Sequence, residues 1–295
     1  MSTPLFSILI DGMTNSNIDI VIVITQVWLE ILTNSDLLKY GNSFEQLINN
    51  VSTKIIETIC NYQQNNKIQY IYKFAPVVCL LLSEYSGQII RNIATWGKSI
   101  IAICISYVSN VSKYESHYGF VDNQFIASWL QFVEYLRNDL DDNNITLQLK
   151  EYFTKLLSLM INHCIIPLDY GNFKAEFDEF RSEIGELIGH IYLLYPDDSL
   201  FLILEAFKAS LELVDWRYLE TSLFLLSCCG YSLQSQHINY ITHVCSAIVN
   251  LNTTNEILNK SIIIYVDSHC NYLNSLQSDL LISLVEKIVP NLLVC

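Results

Sequence analysis

The chain has 295 residues, is 51% apolar, and carries 30 acidic against 16 basic side chains, a formal net charge of −14. That balance excludes the basic footprint that a nucleic-acid backbone requires, and it suits a basic protein partner instead. Nine glycines and five prolines fall far below the averages of about 7% and 5%, which excludes turn-rich β architectures and low-complexity chains.

In chain order, residues 1–17 are apolar in "PLFSILI" and are expected to be poorly ordered. The start lacks a basic n-region, so no signal peptide is expected. "IDIVIVITQVWLEIL" reads as a helix over 18–33; it is shorter than the roughly 20 residues a membrane span needs and contains Asp19, Gln26 and Glu30. With no better candidate span, the chain is expected to be soluble and intracellular. Further helices are predicted over 43–61, 67–90, 97–109, 122–140 and 146–164. The pattern continues over 176–195, 198–214, 216–230, 236–250, 254–272 and 277–293. Pro76 is expected to kink or break the segment 67–90. Pro196-Asp197-Asp198-Ser199 is expected to end one helix and cap the next. Asp215-Trp216 begins another, and Asn252-Thr253-Thr254-Asn255-Glu256 offers a cap with a glutamate close behind. Short Asn-rich stretches such as "NYQQNNK" and "DDNNIT" read as connections between helices.

Few breakers and much leucine and isoleucine point to helices buried on more than one side. Taken in pairs, the twelve segments form about six hairpins starting near 18, 67, 122, 176, 216 and 254. HEAT-type repeats recur every 40–47 residues or so, with two helices each. The expected fold is therefore all-α: an α-solenoid of HEAT-like hairpins in one continuous right-handed stack over 1–295. Both ends look apolar and uncapped, so the chain is expected to be a segment of a longer solenoid and to self-associate or need a partner. Nine cysteines lie mostly among aliphatic residues, for example Cys79, Cys104, Cys228 and Cys229, and read as buried free thiols in a reducing compartment.

One stretch, "AEFDEFRSEIGELIGHIYLLY" (175–195), crowds Glu176, Asp178, Glu179, Glu183 and Glu186 together. Phe177, Phe180, Ile184, Leu187, Ile188 and Ile191 recur at helical spacing, so the acids read first as the wet side of a helix that also favours its N-terminus. The functional reading is a rim that attracts Lys and Arg of a partner. Asp139, Asp141 and Asp142, in "NDLDDNN", form a second such rim. Gly185 and Gly189, four apart, read as a close-packing face.

That stretch, followed by "VDWRYLETSLFLLSCCGYSL", resembles the middle of nuclear transport receptors of the karyopherin-β (importin-β) superfamily, nearest the transportin-SR and importin-thirteen branch. The resemblance rests on Asp178, Glu179, Phe180 and Arg181, then Trp216, Glu220, Leu223 and Phe224, with "KEYFTKLLSLMINHCIIP" and "FIASWLQFVEYL" upstream. It implies a carrier shuttling between nucleus and cytoplasm; the alternative reading is a Ran-independent helical-repeat scaffold or adaptor for protein complexes. Such carriers bind a basic, Arg/Ser-rich protein cargo under control of the GTPase Ran and touch FG nucleoporins. The repeats that carry the main Ran-binding surface in that family have no counterpart here.

Neither an enzyme nor a cofactor is expected. No P-loop, G-x-G-x-x-G or G-x-S-x-G occurs. His237 and His243 are six apart, off a common helix face, and Cys228-Cys229 lacks the spacing of a zinc site, so no metal is expected. Trp216 reads as a hairpin core residue.

Overall fold

A computed structural model of the chain describes residues 4–13, 17–34, 42–65, 68–114, 123–138, 143–213 and 215–292. Among them are fourteen α-helices and no strand, so the protein is all-α. In chain order these are α1 (Pro4–Gly12), α2 (Ile18–Thr33), α3 (Asn42–Gln64), α4 (Ala75–Glu84), α5 (Ser86–Arg91), α6 (Lys98–Tyr114) and α7 (Asn123–Asn138). They continue with α8 (Asn143–His163), α9 (Lys174–Leu194), α10 (Pro196–Glu212), α11 (Trp216–Gly230), α12 (Asn239–Asn250), α13 (Glu256–Ser268) and α14 (Ser278–Leu292). Each predicted segment holds at least one of them. The additions are α1 and a division of the segment 67–90.

That division has local causes. A 3-10 turn over Ile68–Phe74 leads into α4, whose first turn holds Pro76, a position where the missing N–H costs nothing. The helix then stops at Tyr85 and restarts as α5. A single π turn, Ile93–Gly97, follows, closed by the Gly97 N–H donating to Asn92 O at 2.9 Å. A Cβ on Gly97 would lie 2.3 Å from Ile89 O, so only glycine permits this approach.

The caps differ in kind. Asp215 accepts from Arg217 N and caps α11, and Asn255 accepts from Leu258 N and caps α13, both as the sequence indicates. At α10 the expected side-chain cap is absent. Tyr195 occupies the N-cap position, and Pro196 starts the helix with Asp197 and Asp198 in its first turn. There the proline geometry and the dipole act in place of a capping hydrogen bond.

The chain divides into two compact units, Met1–Tyr152 and Phe153–Cys295. In the first, α4 lies at the centre and packs on α2, α6 and α7. Its Val77, Val78, Leu81 and Leu82 are fully buried, as are Trp129 and Phe132 of α7. Polar ties cross between elements: Trp96 Nε1 donates to Asn49 Oδ1 at 3.0 Å, and Tyr107 OH donates to Ile71 O at 3.0 Å.

In the second unit α11 is central, packing on α9, α10 and α13, while α12 and α13 both meet α14. Leucines 223, 225 and 226 of α11 are all fully buried, which is the pattern of a helix enclosed on several sides. Gly185 and Gly189 of α9 face α11, as their spacing predicted. A Cβ on Gly185 would sit 3.0 Å from Cys228 Sγ, and one on Gly189 would sit 3.3 Å from Cys228 O.

The main helix contacts join neighbours one to three helices along the chain. The long-range side-chain hydrogen bonds have a matching reach, from 29 residues (Tyr240 to His269) to 57 (Thr221 to Cys164). No helix among the described residues is long and apolar enough to cross a membrane. The thiols of Cys104, Cys164, Cys229 and Cys245 are free and buried, Cys228 is free and half-buried, and Cys79 is buried.

Candidate functional site

Helix α9 carries a dense acidic surface and one charged residue on its buried side. Phe177, Phe180, Ile184, Leu187, Ile188 and Ile191 are all buried, which places the acids toward solvent by helical geometry. Glu176, Asp178, Glu179 and Glu186 are exposed, and Glu183 is half-buried. Glu176, Glu179, Glu183 and Glu186 follow one another at steps of three and four, so they form a single row along the helix. Asp178 stands off that row and accepts from Tyr170 OH at 2.7 Å. Burial first, and then this bond to Asp178, push the Tyr170 phenol up. Asp139, Asp141 and Asp142 lie outside the described residues.

The row is electrostatically strained at Glu183. Desolvation raises its carboxyl above the ordinary range, and Glu179 and Glu186 raise it further. Its Oε2 is shielded from solvent without a hydrogen-bond partner. A cation brought to this row would relieve that repulsion, which is the chemistry of attracting Lys or Arg side chains.

On the opposite side, Arg181 points inward and is buried. Its Nη1 and Nη2 donate to Glu220 Oε1 and Oε2, each at 3.1 Å, and Ser261 Oγ donates to Glu220 Oε1 at 2.8 Å. The guanidinium carbon lies 4.1 Å from the Phe224 ring centroid and 5.6 Å from that of Phe177. Helices α9, α11 and α13 are thus joined through one carboxylate. The sequence motifs around Arg181 and Glu220 are brought together here, although their burial was not foreseen. The available signal was register: Arg181 falls in step with Phe177, Ile184 and Ile188, and Glu220 with Leu223.

Polar side chains also fasten the ends of the later helices. Tyr192 OH contacts His237 Nδ1 at 3.0 Å, and His237 Nε2 contacts Asp197 Oδ1 at 2.7 Å. This grouping offers no exposed hydroxyl nucleophile, because Tyr192 is buried. Burial pushes the Cys164, Cys228 and Cys245 thiols up to about 12, which keeps them protonated and unreactive. Trp216 is half-buried at the start of α11. Among the described residues no three His, Cys, Asp or Glu side chains converge as a metal-ligand set.

The chain matches no protein-family model and no curated protein.

Proposed function

We propose that this protein is a protein-binding helical-repeat module, built from HEAT-like hairpins, that takes a basic protein partner on the acidic row of α9. The observation that carries the reading is the reach of its packing. Among the described residues the main helix contacts join near neighbours, and long-range side-chain bonds between them span 29 to 57 residues, about one two-helix repeat. A chain organised this way offers long helix faces, and here one such face is acidic in a protein of net charge −14.

The resemblance to karyopherin-β receptors specifies the module further, as a segment of a nuclear transport receptor. Its partner is then an Arg/Ser-rich cargo, its control is Ran, and its outer surface meets FG nucleoporins. It acts without catalysis or a cofactor, in both nucleus and cytoplasm. The convergence of Arg181 and Glu220 supports this reading, since it joins the two motifs that carry the resemblance.

The test is fluorescence anisotropy with a labelled Arg/Ser-rich peptide at low and high salt, with and without GTP-loaded Ran. Binding that weakens with salt and is displaced by Ran supports the receptor. Salt-sensitive binding that Ran leaves intact supports a Ran-independent scaffold. Absence of peptide binding at low salt contradicts both.

A further inference from the structure

Beyond partner binding, the second unit contains a buried histidine whose two ring nitrogens are both engaged. His269 follows α13 and is wholly inaccessible to solvent. Its Nδ1 lies 2.8 Å from Tyr265 O and 2.9 Å from Ser268 Oγ. The Ser268 hydroxyl already donates to Tyr265 O, so Nδ1 faces two acceptors and carries the hydrogen. Nε2 is therefore the bare nitrogen, and it accepts from the Tyr240 hydroxyl at the start of α12. The ring lies against that of Tyr265, 4.3 Å between centroids and tilted by 33°. On its remaining side is Gly230, the last residue of α11; a Cβ there would come within 2.7 Å of His269 Cε1.

This arrangement has one comfortable protonation state. In the imidazolium both nitrogens donate, so Nε2–H would oppose the Tyr240 hydrogen, and that hydroxyl has no second acceptor among the described residues. Among the described residues, the side chains around the joint offer no counter-charge. Cys229 on α11, Cys245 on α12, Tyr265 on α13 and Tyr240 are all held neutral by burial, as is Tyr192 on α9. Tyr272, in the connection to α14, donates to Leu233 O. Asp267 of α13 is exposed and accepts from Tyr231.

We propose that His269 is an acid-operated latch. Neutral, it clasps the ends of α11, α12 and α13 together; protonated, it leaves this pocket and frees the connection from α13 to α14. Burial holds its imidazole down to about 4, against an ordinary 6.5, so a proton enters only when the joint opens. The direction follows from linkage. Between those two values the open form binds a proton that the closed form does not, so closure weakens as pH falls.

Hydrogen exchange of the full chain at pH 7 and pH 5, corrected for intrinsic rates, tests the latch. Amides of residues 265–276 and 229–241 should exchange about twentyfold faster at pH 5. Each pH unit between 6.5 and about 4 multiplies the open population by about ten. His269→Gln should abolish that step. Tyr240→Phe removes the hydroxyl that supplies Nε2 and should move the opening to higher pH, which tests the idea even where His269→Gln fails to fold. Equal protection of the wild type at both pH values would overturn the latch. So would an undiminished acid step in His269→Gln, or an unmoved one in Tyr240→Phe.

Discussion

Arg181 on α9 and Glu220 on α11 form a two-pronged ion pair, 39 residues apart in the chain, with under a tenth of either side chain exposed. Two opposite charges inside an apolar interface lose hydration on both sides, and their attraction offsets that loss only while both are present. The pair therefore ties the buried face of α9 to α11. Ser261 on α13 adds a third helix to the same carboxylate.

Glu220→Gln leaves the Arg181 guanidinium buried without its counter-charge. The expected loss of stability is about 3–5 kcal/mol. The double variant Arg181→Met with Glu220→Leu removes both charges and should recover most of it. Urea denaturation of the single and double variants measures both effects. A single-variant cost under about 1 kcal/mol would mean the pair behaves like an exposed one.

Gly230 is needed for the approach of α11 to His269 and to the Ser268 carbonyl, which lies 2.9 Å from a Cβ built there. Gly230→Ala should destabilise by about 1–3 kcal/mol through overpacking. Gly171, with nothing within 4 Å of its added Cβ, is the control. Gly171→Ala should shift stability by no more than about 0.5 kcal/mol. Equal denaturation midpoints for the two variants would remove the steric argument.

The cap on α13 is a single bond from Leu258 N to Asn255 Oδ1 at 2.9 Å. Asn255→Ala should cost about 1 kcal/mol and Asn255→Asp much less, because aspartate caps equally well. Thermal unfolding distinguishes them. An Asn255→Asp variant as unstable as Asn255→Ala would point away from capping.

Glu176, Glu179 and Glu186 are exposed, so their replacement by lysine should leave folding nearly unchanged. The triple variant should lose binding of a basic peptide mainly through a slower association rate, and its remaining affinity should depend less on salt. Stopped-flow kinetics read both. Unchanged association would remove α9 from the binding surface.

Much of the helix pattern was legible because it depends on local spacing. The period of Phe177, Phe180, Ile184 and Ile188 set the buried face of α9, Asp215 and Asn255 marked helix starts through their own side chains, and Pro76, read as a break within 67–90, stands in the first turn of α4. The interruptions at Tyr85 and over Ile93–Gly97 were not legible. The π turn depends on Gly97 meeting the Ile89 carbonyl, a contact no local pattern displays. Likewise the acids of α9 could be placed on the surface from their period, but the inward turn of Arg181 needed Glu220, on another helix, to stabilise it. The absence of a side-chain cap at Pro196 has a related cause: Tyr195 is buried at the N-cap position, where an exposed Asp or Ser would otherwise serve.

The most direct test of repeat-like packing is hydrogen exchange across the whole chain in Glu220→Gln. If stability passes between near neighbours, protection should fall most in α9, α11 and α13, less in α14, and stay at wild-type levels in α2, α3 and α4. A uniform fall in all helices would show one cooperative core and contradict the account.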